Sequence, residues 1–193
     1  RRRAAFPAVL IMDPIAVIHR FYAPGCRAAE ILIHHGRQVA GKAMAIAGNL
    51  ADRHPDAAFI EQAALLHDIG MGLTCAPSLG CTGIRPYICH GYLGRNLLES
   101  IGLERHGRVC ERHVGLGLSI ADIDRQKLPL PRRDMRPRTL EEKIVCFADK
   151  FYSKTGDNPA EKPIEAVLES LRPLGDGYVD RFLSLASLLR YEY

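Results

Sequence analysis

Apolar residues recur along this chain at steps of three and four, the spacing of one face of an α-helix. Leu32, His35, Val39, Ala43, Ile46 and Leu50 form one such stripe, which predicts a long amphipathic helix over about 27–52, stopping before His54-Pro55. A short helix precedes it, with Asp13 as cap, Pro14 in the first turn and Ala23-Pro24-Gly25 as its end. Asp56 can cap the next helix, in which Phe59, Ala63, Leu66 and Gly70 keep the period. It is expected to run to about Ile69 and stop at Gly70 and Gly72. Between 71 and 89 Gly, Pro, Ser, Thr and Cys dominate, the composition of an irregular loop. Two helices follow over about 90–100 and 104–114, separated by Gly102. A loop with one short helical turn extends to about 138. Thr139 and Glu142 then make a capping-box signature for a helix to about 154. Two more helices, near 163–171 and 177–190, complete the pattern. No run alternates with the two-residue period of a half-buried strand, and no internal repeat is present. The predicted fold class is all-α, a helical bundle.

Composition narrows this picture. With 47% apolar and 25% charged residues the chain is neither disordered nor fibrous. Its 193 residues suffice for one domain with its own core. We therefore read 1–193 as a single domain, its core over roughly 27–155 and the helices of 160–190 packed on it. No apolar run approaches the roughly 20 residues that span a bilayer. Phe6 to Met12 follows Arg1–Arg3 like a short leader, but it runs into Asp13-Pro14 without small-residue cleavage signals. A cytoplasmic protein without a membrane partner is expected.

The formal charge is +4, with basic residues scattered rather than striped. The cluster Arg132, Arg133, Arg136 and Arg138 is interleaved with prolines and Asp134, as in a solvated loop, so nucleic acid is not the expected partner. Mild basicity suits a small anionic substrate. Six cysteines, at 26, 75, 81, 89, 110 and 146, contain no C-x-x-C pair, which argues against a structural zinc site. A disulfide framework is not expected in a chain of this length. Cys110 and Cys146 fall on apolar helical positions and read as buried thiols. Cys75, Cys81 and Cys89 share the loop, where a further metal or a redox pair is the minority reading.

The chemistry lies where histidines and aspartates meet the apolar stripes. His35 is within the stripe of its helix, and His67 and Asp68 sit beside theirs at its C-terminal end. His90 accompanies Leu93, Leu97 and Ile101, His113 follows Val109 and Cys110, and Asp149 lies among Val145, Ala148 and Tyr152. Five predicted helices thus aim ligand-type side chains inward. A lone core histidine is usually just hydrogen-bonded, and His19, His34, His54 and His106 are left in that class. Asp149 alone could pair with Lys150. Two carboxylates in an apolar interior, however, are expensive and repel each other. Divalent cations resolve both problems, since imidazole and carboxylate are good ligands for first-row metals and helix bundles host such sites.

With these residues in view, the sequence resembles the HD-domain superfamily of metal-dependent phosphohydrolases, in its HDIG branch. The resemblance rests on His67-Asp68-Ile69-Gly70 after Ala64-Leu65-Leu66, and on His35 in His35-Gly36-Arg37-Gln38-Val39-Ala40. It continues through His90-Gly91, Glu111-Arg112-His113, and Lys143 to Lys150 with Asp149, covering roughly 31–151. It implies an all-α bundle with the metal site between the central helices. It further implies that His35, His67, Asp68 and Asp149 hold a first metal, and that Asp68 bridges to a second completed by His90 and His113. One or two divalent transition-metal ions are expected, iron or manganese foremost, with zinc, nickel or magnesium as further candidates. Asp68 would orient the attacking water as the catalytic residue, and Arg95 or Arg112 could bring positive charge to the phosphate.

The implied activity is hydrolysis of a small phosphate mono- or diester, a nucleotide being the commonest class, with Tyr87 and Tyr92 flanking the site. Two departures disfavour a cyclic-dinucleotide phosphodiesterase. Met71 stands where many such enzymes carry lysine, and Val114-Gly115-Leu116-Gly117 replaces the companion motif. The rival readings are a mixed-valent di-iron oxygenase, which uses the same ligand order, and a non-catalytic metal-binding sensor module. Natural substrate and oligomeric state are not legible.

Overall fold

Four of the described α-helices start at a side chain that caps their free amides. Asp13 accepts from the Ile15 amide to open α1 (Pro14–His19), and Asp56 accepts from the Phe59 amide to open α3 (Ala57–Leu66). Thr139 and Glu142 form the predicted capping box at α7 (Leu140–Asp149). The architecture comes from a computed structural model that describes residues 12–154, 160–175 and 177–192. Most of the segment weighed as a leader lies outside the described residues, as does position 155 of the expected core.

The remaining helices are α2 (Arg27–Asn49), α4 (His90–Glu99), α5 (Glu104–Arg112), α6 (Ile120–Gln126), α8 (Ile164–Leu171) and α9 (Tyr178–Leu188). The all-α expectation holds. The short turn foreseen before 138 is α6, opened by a second capping box from Ser119 and Asp122.

α7 ends at Asp149 rather than about 154, and three further departures from the periodicity have local reasons. α2 ends at Asn49, and a 3-10 turn over Ala51–Arg53 carries the chain to His54. His54 takes a left-handed conformation (φ 49°), since Pro55 disfavours the right-handed helical region before it. α3 ends at Leu66 rather than Ile69, and a 3-10 turn over Ile69–Leu73 follows Asp68. The loop of 71–89 contains two two-residue strands, β1 (Cys75–Ala76) and β2 (Cys81–Thr82), paired antiparallel with Cys75 opposite Thr82. Strands that short cannot show alternation.

The buried apolar residues fall into two clusters. One joins α2 from Val39 onward with α3, α7, α8 and α9 through Ile60, Phe147, Val167 and Phe182. The other joins α1 and the start of α2 with Leu66, Ile69, Leu98 and Cys110. They meet around His35, because Leu32 belongs to one cluster and Val39 to the other. His67 lies likewise between Ala64 and Ile69, and this seam carries the polar residues. Among the described residues no helix is long and apolar enough to cross a membrane.

Candidate metal centre

The turn after α3 brings Asp68 against α4 and α5, and two glycines make the approach close enough. A Cβ on Gly70 would lie 2.1 Å from the His90 carbonyl oxygen and 2.3 Å from the Gly94 amide nitrogen. One on Gly91 would lie 2.6 Å from a Val114 methyl and 2.8 Å from the Cys110 carbonyl oxygen. With no side chain at either position, His90 at the start of α4 and His113 just after α5 both reach Asp68.

All six singled-out residues converge, and all are buried. His35, His67, Asp68 and Asp149 form one group able to hold a metal ion, and Asp68, His90 and His113 form another. Asp68 belongs to both through different oxygens. Its Oδ2 faces His67 Nε2 at 3.0 Å and His35 Nε2 at 3.4 Å. Its Oδ1 faces His90 Nε2 and His113 Nε2, each at 3.3 Å. Asp149 Oδ1 closes the first group, 2.9 Å from His35 Nε2 and 3.3 Å from His67 Nε2.

Backbone hydrogen bonds set the histidine tautomers. The Nδ1 of His67, His90 and His113 donates to the carbonyl oxygen three residues earlier, of Ala64 (2.6 Å), Tyr87 (2.7 Å) and Cys110 (2.7 Å). A carbonyl only accepts, so the hydrogen is on Nδ1 and each Nε2 aims a lone pair at the centre when the ring is neutral. Burial pushes the His90 pKa down to about 3, against the pull of Asp68, and it lowers those of His113 and His35. Burial also opposes charge on His67, but Asp68 and Asp149 outweigh it and raise its pKa to about 9. Both carboxyls are strongly buried, which would raise their pKa, yet neighbouring cations hold them well below the ordinary range. His67 and Lys154 do so for Asp68, and Lys150 and Lys154 for Asp149.

The donor set therefore fits divalent metal. It comprises two buried carboxylates and at least three neutral imidazoles, and within each group the ligand atoms lie within 4.8 Å of one another. Removing such groups from water costs several kcal/mol per ion unless charge of the opposite sign compensates.

A cavity of about 320 Å³ opens onto the centre, lined by His90, His113 and Asp149 together with Tyr87, Ile88, Val114, Gly115, Lys150 and Lys154. Lys150 Nζ lies 2.7 Å from Asp149 Oδ2, the pairing weighed from sequence, and also donates to the His113 carbonyl. Lys154 Nζ lies 2.7 Å from Asp68 Oδ2. Sequence reasoning missed Lys154 because it extended α7 to about 154, whereas the helix ends at Asp149 and the chain beyond it no longer follows the helical period.

Arg95 and Arg112, the residues expected to bring charge to a substrate, are both engaged by carboxylates. Arg95 is held by Glu99 and Glu111, each at 2.7 Å, and Arg112 makes two bonds to Glu142 at 2.7 and 2.9 Å. Neither lines the cavity, since buried Glu111 and Glu142 need these guanidiniums as partners. Tyr87 lines the cavity and Tyr92 does not. Met71 is fully buried. Cys110 and Cys146 are buried thiols as expected, and among the described residues no cysteine joins a ligand group.

A tRNA (cytidine(56)-2'-O)-methyltransferase of Picrophilus torridus is 36% identical over 128 residues, 65% of this chain and 33% of its own length. The protein of that name from Thermoplasma volcanium is 30% identical over 156 residues, 76% of this chain and 41% of its own. An uncharacterised protein of Methanocaldococcus jannaschii is 36% identical over 101 residues, 52% of either chain. The chain thus spans between a third and about half of the length of these relatives. No solved structure matches it. The HD domain family profile matches residues 32–153, more than half of the chain and a stretch containing all six residues of the centre, and the chain belongs to the HD domain family.

Proposed function

We propose that this protein is a metal-dependent phosphohydrolase with a dinuclear centre, acting on a small phosphate ester such as a nucleotide. The observation that carries this reading is the division of Asp68: Oδ2 faces one set of nitrogens and Oδ1 another. A carboxylate placed in this way could serve two ions, one through each oxygen. His35, His67 and Asp149 would complete the first, His90 and His113 the second. When bound, such ions lower the pKa of water from about 15.7 towards 7 and offset charge gathering on phosphorus.

The chain's own groups supply the rest. Asp68 accepts a hydrogen bond from the attacking water and so orients it. The neutral imidazoles leave the positive charge of the ions available to substrate, and the apolar side chains of Ile88 and Val114 restrict water in the cavity. Water oxygen bonds to phosphorus, the ester P–O bond breaks, and the proton ends on the departing alcohol.

Two relatives are named as tRNA methyltransferases, but methyl transfer is not carried over to this chain. An alignment that covers 76% of this chain must include most of 32–153, so we infer that the likeness to the Thermoplasma protein runs largely through the HD region.

The test is elemental analysis of purified protein followed by phosphate release from nucleotides and aryl phosphates with manganese, iron(II), cobalt, zinc or magnesium. Metal-dependent release that Asp68→Ala abolishes is the expected result. Ion-loaded protein inactive on every phosphate ester would overturn the proposal.

A further inference from the structure

Lys154 and Tyr87 lie outside the ligand set, and both line the cavity. The Tyr87 ring stacks on His90 with centroids 4.7 Å apart and planes 28° from parallel, which holds the phenol beside the centre. Its hydroxyl is buried without a well-formed hydrogen bond, and the charged group it meets is the Lys154 ammonium. A buried hydroxyl left poorly paired is unfavourable, and in a cavity wall it marks a place for a ligand atom. Lys154 offers three N–H donors and no acceptor. One is engaged by Asp68 Oδ2, and its side chain is 16% exposed. An ion sharing that oxygen would repel the ammonium and free it for another acceptor.

We propose that Tyr87 and Lys154 form a phosphoryl subsite that selects phosphate monoester dianions over diesters. This rests on the hydrolytic reading of the same centre and names its substrate class. Charge and donor count carry it. Lys150 and Lys154 already match the carboxylates of Asp149 and Asp68 one for one, so the charge of bound ions is left for the substrate. A monoester presents three terminal oxygens and two negative charges; a diester presents two oxygens and one charge. A strong ammonium donor with a hydroxyl donor beside it suits the former. Binding by these residues involves no covalent step.

The experiment uses the full chain at saturating manganese and measures inorganic phosphate binding by calorimetry, alongside kinetics on an aryl phosphate monoester and the matching bis-aryl diester. For Lys154→Met we expect phosphate affinity to fall about ten-fold or more and KM for the monoester to rise alike, with metal content and diester KM nearly unchanged. Lys154→Arg should recover part of the loss. Tyr87→Phe, which keeps the stacked ring, should weaken phosphate by roughly three- to ten-fold. Phosphate affinity within two-fold of the unmodified protein in both Lys154→Met and Tyr87→Phe would overturn the subsite, as would equal losses for monoester and diester. Because binding is read without turnover, Lys154-dependent phosphate capture by protein that hydrolyses nothing would sustain the subsite while sinking the hydrolytic reading.

Discussion

His90 and His113 meet Nε2 to Nε2 at 3.1 Å, while each Nδ1 donates to a carbonyl oxygen one turn earlier. With both δ-nitrogens committed as donors, two neutral rings present facing lone pairs, which repel unless a cation sits where both can reach it. Divalent ions should therefore stabilise the fold. At a free concentration 100-fold above Kd one ion contributes about 2.7 kcal/mol, or roughly 5–10 °C in Tm for a chain of this size. Scanning calorimetry of chelator-treated protein with and without manganese measures it. An unchanged Tm would contradict the metal centre.

Ligand substitutions should separate the two groups. His90→Ala and His113→Ala remove donors from one side of Asp68 only, so metal content should drop from two ions to one. Asp68→Ala should lose both. Loss of groups that merely orient a ligand costs about 10–100-fold in activity, so each ligand variant is expected at or beyond about 100-fold. Inductively coupled plasma measurements on the purified variants decide the stoichiometry, and an unchanged metal count in His90→Ala would refute the second ion.

Gly70→Ala should damage both fold and centre. The added methyl meets backbone atoms of α4 at 2.1 and 2.3 Å, which cannot swing aside as a side chain does. Overpacking of this kind costs about 1–3 kcal/mol, and the displaced turn should carry Asp68 away from His90. Denaturant titration reads the first effect and metal affinity the second.

Acid should destabilise the protein partly through His106, which is not a ligand. Burial depresses its pKa to about 4, helped by Arg105, while its ring packs edge-on against Phe59. The unfolded chain, with a histidine pKa near 6.5, binds the proton more readily, so this contribution is lost as pH falls from about 6.5 towards 4. Chelator-treated His106→Gln should lose less stability than the parent over that interval. Parallel curves would show that His106 takes no part.

Hydrolysis also separates the proposed chemistry from its oxidative rival. Manganese-loaded protein should release phosphate at the same rate with and without dioxygen. An oxygen electrode should record no substrate-dependent consumption by the iron-loaded form, and uptake matched to substrate would favour the oxygenase.

Some of this was legible before any fold was known. The three-four periodicity of α2 already placed His35 in line with Leu32 and Val39, because a helical stripe is a local property of φ and ψ. The capping box at Thr139 and the cap at Asp56 are likewise local, and the structure contains both. The end of α3 was misjudged by three residues because packing of Gly70 on α4, rather than propensity, stops the helix there. Arg95 and Arg112 were offered to a phosphate because a sequence does not show that Glu111 and Glu142 are buried and require them.

The sequence by itself determined the all-α class, most helix starts, and which imidazoles and carboxylates fall beside apolar faces, since all of these follow from spacing along one chain. Only the tertiary structure decided that the two oxygens of Asp68 face different nitrogens, that Lys154 and Tyr87 reach the cavity, and that the arginines turn away. Those outcomes depend on how helices far apart in sequence approach each other, and that distance is set by close packing at Gly70 and Gly91 rather than by any local pattern.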